Sequence, residues 1–151
     1  MYENDPIRVF VAHDFRESDD YLRVFEFLES VERFFYLNVS KPENVPKSSG
    51  MDAIRDEYIS QIKQSEAIIV NAAFYLAKPD LAEYQMLVAE ANKKPIIALM
   101  SFGAMHDTPE PLVAKAAEHI PWNEREIVDA LKRQARHEDT ARWETIEFTL
   151  D

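Results

Sequence analysis

Apolar residues along this chain fall into two kinds of pattern, short unbroken runs and stretches where they recur every three or four positions. The runs at residues 68–70 (IIV) and 95–100 (PIIALM) show no alternation, as expected of strands covered on both faces. Residues 7–12 (IRVFVA) and 34–39 (FFYLNV) fit a first and a second strand, and residues 118–122 (EHIPW) a short last one. Helical spacing appears between the runs. Ser18 is placed to cap a helix whose stripe is Tyr21, Val24, Phe25, Leu28 and Val31. Met51, Ile54, Tyr58 and Ile62 share a face of a helix over residues 51–63, and Leu81, Tyr84, Leu87, Val88 and Ala91 mark another after a loop at residues 71–75. A short helix is expected over residues 111–117, and Asn123 with Glu126 makes an N-cap pair for a last helix ending near Arg136. Residues 40–50, with two prolines, form a polar connector that suits one wall of a cleft.

Five strands alternating with helices predict a three-layer α/β/α sandwich around a parallel sheet. A flavodoxin-like strand order of 2-1-3-4-5 brings the carboxyl ends of the first and third strands together. His13, Asp14, Phe15 and Arg16 then face Asn71, Ala72 and Tyr75 across a switch-point crevice, where ligands of open α/β sheets bind. Ser101, beyond the fourth strand, is counted with these substrate-binding candidates. One domain is expected over residues 1–138. Residues 139–151 form a tail whose alternating Ile146, Phe148 and Leu150 suit an extra edge strand or an interface strand.

Composition narrows the function classes. A net charge of −11 argues against a nucleic-acid or anionic-membrane binder. With no cysteine there are no disulfides, thiolate nucleophiles or cysteine zinc sites, and His13, His106, His119 and His137 match no metal spacing. No leader or membrane-length apolar run is visible, so a cytoplasmic protein is expected. Only Gly50 and Gly103 occur, which excludes glycine-rich phosphate loops. A response-regulator receiver needs a phosphorylatable Asp at the end of the third strand, where this chain has Asn71.

One polar residue in the central helix breaks the pattern. At about 100° per residue, Gln85 lies roughly 40° from Leu81 and 60° from Val88, on the edge of the apolar stripe. Glu83 and Glu90 fall on the opposite face, and Asp80 with Glu83 reads as a capping box behind Pro79. On residues alone, Gln85 is an amide that hydrogen-bonds a neighbouring loop.

Val9-Phe10-Val11-Ala12-His13 followed by Asp19-Asp20-Tyr21, then Ala67-Ile68-Ile69-Val70, Tyr75, Lys94-Pro95-Ile96-Ile97 and Trp122-Asn123, resemble the TIR-like proteins of Thoeris antiphage defence over roughly residues 7–135. The resemblance implies a flavodoxin-like fold, cleavage of the nicotinamide–ribose bond of NAD⁺ as substrate with no other cofactor, a homo-oligomer, and an effector protein that responds to an ADP-ribose-derived product. Active members carry a glutamate ten residues before the proline of the fourth strand, and counting back from Pro95 reaches Gln85. The family's usual tryptophan one turn earlier is Leu81, and its usual first-strand serine is Ala12. Such cleavage passes through an oxocarbenium-like transition state that a carboxylate stabilises, which an amide does not.

Three readings of Gln85 stand at this point. It is a deliberate Glu-to-Gln change, the mark of a natural non-catalytic interaction module, or a bystander to Glu83 on a shifted helix. A nucleoside N-glycosidase on the same scaffold is a further alternative.

Overall fold

A computed structural model describes residues 4–47 and 50–138. Its elements run β1 (Ile7–Val11), α1 (Asp19–Glu29), β2 (Tyr36–Asn38), α2 (Met51–Lys63), β3 (Ala67–Asn71), α3 (Ala72–Ala77), α4 (Pro79–Ala91), β4 (Ile96–Leu99), α5 (Glu110–Lys115), β5 (Glu118–Ile120) and α6 (Glu124–Arg136). The five strands form one parallel sheet in the order β2-β1-β3-β4-β5, the flavodoxin-like arrangement expected from the pattern. The register pairs Val9 with Ala67 and Asn71 with Leu99, so the ends of β1, β3 and β4 open on one rim.

The unbroken apolar runs serve two cores at once. Alternate residues Val9, Val11, Ala67, Ile69, Ile97 and Leu99 pack with Tyr21, Val24 and Leu28 of α1 and with Ile127, Val128 and Leu131 of α6. The intervening Phe10, Ile68, Val70, Ile96 and Ala98 pack on the other face with Tyr58 and Ile62 of α2 and Ala82, Met86 and Ala89 of α4. Strand period two and helix period 3.6 thus agree on both faces. Ser18 and Asn123 cap α1 and α6, accepting from the backbone N–H of Tyr21 (3.2 Å) and Glu126 (3.0 Å). Arg136 at the end of α6 bonds Glu66 at 2.5 and 3.0 Å, tying that helix to the start of β3.

Several local expectations are corrected. Residues 72–77 form a helix rather than a loop. Their alanine-rich sequence favours it, and Lys78, pushed to φ −136° before Pro79, ends it so that α4 restarts on the proline. The inward stripe of α4 is Ala82, Gln85, Met86 and Ala89, while Leu87 is exposed. Gln85 therefore lies in the buried face and not at its edge. The Asp80–Glu83 capping box does not form, because α4 has no side-chain cap. Glu83 instead accepts from the Tyr75 hydroxyl and from Lys115 (3.0 Å). Met51 is exposed, β2 is only three residues long, and α5 begins on Glu110 and ends at Lys115. The expected strand around Ile146, Phe148 and Leu150 lies outside the described residues.

Candidate functional site

The rim is organised around His13, two residues past β1. Its backbone N–H donates to Gln85 Oε1 (3.2 Å), and its carbonyl accepts from Gln85 Nε2 (2.9 Å) and from the Tyr58 hydroxyl (2.8 Å). The ring is used as fully. Nδ1 accepts from the Phe15 N–H (3.0 Å), which leaves Nε2 to carry the proton and donate to Gln61 Oε1 (2.9 Å). Gln61 in turn accepts from the Lys41 N–H (2.8 Å) and donates to its carbonyl (3.1 Å), coupling the 40–47 loop to the same histidine. Burial lowers the His13 pKa below its ordinary value, outweighing the Gln61 hydrogen bond and the charges of Asp14, Glu43 and Glu57. His13 is thus a neutral structural hub with both ring nitrogens engaged.

That hub folds the next residues into a tight turn. Phe15 takes φ 66° and stacks on Tyr58 at 4.8 Å between ring centroids, an uncommon conformation for an aromatic residue that the His13 and Tyr58 contacts hold. The turn directs Asp14 and Arg16 into a crevice of about 460 Å³ between the ends of β1 and β3. Ala12, His13, Asp14, Arg16, Glu17, Ser18 and Asp20 form one wall, and Asn71, Ala73, Phe74, Ala77 and Lys78 the other.

Two features of the crevice carry chemistry. Arg16 donates twice to Asp14 Oδ2, at 3.1 and 2.5 Å. Burial pushes the Asp14 carboxyl up, but the Arg16 hydrogen bonds and charge, with Lys78 nearby, outweigh it and hold the group below its ordinary value. Asp14 is therefore ionised at neutral pH. Opposite it, Asn71 is 3% exposed and its Oδ1 has no hydrogen-bond partner. A buried acceptor left unpaired costs about 1–3 kcal/mol, which makes this oxygen the unsatisfied polar atom beside the crevice.

The residues expected at the site separate into two groups. His13, Asp14, Arg16 and Asn71 come together in the crevice. Phe15, Ala72, Tyr75, Gln85 and Ser101 do not line it. Phe15 packs on Tyr58, and Ala72 and Ser101 are buried. The Tyr75 hydroxyl is bonded to Glu83, which pushes its pKa up to about 12. Gln85 is fully enclosed, and its amide is spent on the His13 backbone. Phe74 belongs to the 71–75 stretch expected at the crevice, whereas Lys78 was not anticipated. The signal for Lys78 was the helix break at Lys78-Pro79.

Among the described residues, no three His, Cys, Asp or Glu side chains are grouped to hold a metal ion, and no helix is long and apolar enough to cross a membrane. No family model matches the chain, and no curated protein matches it. Among solved structures, a CMP N-glycosidase of Clostridium botulinum is similar at 20% identity over 83% of this chain and 98% of that one, with a TM-score of 0.47. A likeness at that level assigns no role to the residues of the crevice.

Proposed function

We propose that the crevice binds a nucleotide and breaks its N-glycosidic bond, with NAD⁺ as the preferred substrate. The observation that supports this reading is an ionised Asp14 lining the same crevice as Asn71, whose buried Oδ1 has no partner. A rotation of the Asn71 side chain turns its Oδ1 to a ribose hydroxyl, and the Asp14 carboxylate stabilises positive charge developing at C1′. Arg16 and Lys78 suit the ligand's phosphates.

The acid–base inventory selects the leaving group. His13 is neutral, buried and fully hydrogen-bonded, and Asp14 is ionised, so neither delivers a proton. A neutral base must be protonated to leave. Nicotinamide is a pyridinium in NAD⁺ and takes the electron pair of the C1′–N bond without one. Water then adds to C1′ and loses its proton to solvent. In this reading the carboxylate role belongs to Asp14 and not to position 85. A homo-oligomer and an effector that senses the ADP-ribose product belong to the same proposal.

Nicotinamide release from NAD⁺ tests it. Wild type is expected to release nicotinamide, and Asp14→Asn to lose on the order of 10²-fold in rate while still binding the dinucleotide. Equal rates for the two proteins would remove Asp14 from the chemistry, and faster release of cytosine from CMP than of nicotinamide from NAD⁺ would refute the leaving-group argument.

A second reading, a nucleotide-binding module without turnover, is favoured by the Arg16 pairing that offsets the Asp14 charge. It predicts saturable NAD⁺ binding with no nicotinamide released.

A further inference from the structure

The crevice wall does not end at Asp20. That carboxylate is ion-paired with Arg23 one turn along α1, and the Arg23 guanidinium carbon lies 4.0 Å from the centroid of the Phe102 ring. Phe102 follows β4, three residues beyond Leu99, the register partner of Asn71. Asn71 and Phe102 thus belong to neighbouring strand ends on the same rim, bridged by Asp20 and Arg23. Phe102 is 42% exposed despite these contacts. Trp122 meets it edge-on at 5.4 Å, while the Trp122 indole N–H donates to the Met100 carbonyl (2.6 Å) and its own edge is packed by Phe27 at 5.2 Å. Immediately after Phe102, Gly103 adopts φ 74°, a turn that other residues take only with strain.

We propose that Phe102, steadied by Trp122 and flanked by Arg23, is a second subsite that stacks the distal base of a dinucleotide whose other half occupies the crevice. The proposal rests on the nucleotide reading of the crevice and adds the place where the second base of its dinucleotide substrate sits. Flat bases stack on aromatic faces and guanidinium planes irrespective of their sequence identity, a contact worth about tenfold or more in affinity per base. Phe74, inside the crevice, is placed for the ring at the reacting end, and Phe102 lies outside it, past Asp20. Arg23 already lies over one face of the Phe102 ring, so the base stacks on the opposite face or on the guanidinium plane, and exchange of the Asp20 partner for a ligand phosphate keeps the guanidinium paired.

The test compares NAD⁺ with nicotinamide mononucleotide, which lacks the adenylate half, by calorimetric titration of the full chain. Wild type is expected to bind NAD⁺ at least tenfold more tightly than the mononucleotide. Phe102→Ala should remove that advantage while leaving mononucleotide affinity within about twofold, and Phe102→Tyr should restore it by keeping the ring. Equal affinity of wild type for the two ligands, or parallel losses for both in Phe102→Ala, overturns the second subsite while leaving the crevice reading intact. Binding of neither ligand to wild type overturns both.

Discussion

Replacing Gln85 by glutamate is the sharpest perturbation of this site, because the change is isosteric and the structure assigns each amide atom a partner. Oε1 accepts from the His13 N–H and Nε2 donates to the His13 carbonyl, at a position with no solvent exposure. A carboxylate keeps the first bond but turns an oxygen toward the carbonyl in place of the donor. The introduced carboxyl avoids that repulsion only by staying protonated, so its folded pKa is raised above the unfolded value of about 4.3. A group with a raised folded pKa supports folding fully below its unfolded pKa and loses that support as pH rises toward the folded one. For a rise of about three units, the loss by pH ~8 is roughly 4 kcal/mol, or about 10 °C in Tm for a chain of this size. Gln85→Glu should therefore melt close to wild type near pH 4–5 and well below it near pH 8, with the gap widening as pH rises. Thermal unfolding of both proteins across that range is the assay. A variant as stable as wild type near pH 8 that also releases nicotinamide much faster than wild type would refute the clamp and revive position 85 as the site of a missing catalytic glutamate.

Three further substitutions separate folding from binding. Because the folded His13 pKa is lowered from about 6.5, the unfolded chain binds the proton more readily. Stability should hold above pH ~6.5 and fall below it, and His13→Gln should flatten that slope in urea titrations taken at several pH values. Asn71→Leu removes the unpaired buried Oδ1, so it should raise stability by about 1 kcal/mol in denaturant unfolding while abolishing nucleotide binding. Asn123→Ala removes the α6 cap and should cost about 1 kcal/mol in the same measurement with no change in ligand affinity, since the cap lies outside the crevice wall.

The architecture was legible because strand and helix periods agreed at every level. The doubly buried runs at 68–70 and 96–99 gave the sheet's centre, and the Ser18 and Asn123 caps placed two helix starts correctly. The crevice followed from topology alone, since order 2-1-3-4-5 sets Asp14 opposite Asn71 whatever the side chains. The partners of Gln85 were not legible. Helix geometry put the residue near the apolar stripe, but its partner lies 72 positions away at a strand end, where spacing along the chain carries no information. For the same reason Glu83 read as a local cap when its partners come from α3 and α5. The Leu87 error has a plain origin: periodicity ranks residues by hydrophobicity, while the face of α4 that packs is Ala82, Gln85, Met86 and Ala89, two of them small.

Side-chain and backbone amide NMR of the labelled chain during NAD⁺ titration tests the central claim most directly. A ligand seated between Asp14 and Asn71 should shift the Asn71 side-chain amide and the backbone amides of residues 13–20 and 71–78, while the Gln85 side-chain amide keeps its His13 partners and moves little. Shifts absent from those segments, or centred on the Gln85 amide with Asn71 unmoved, would contradict the account.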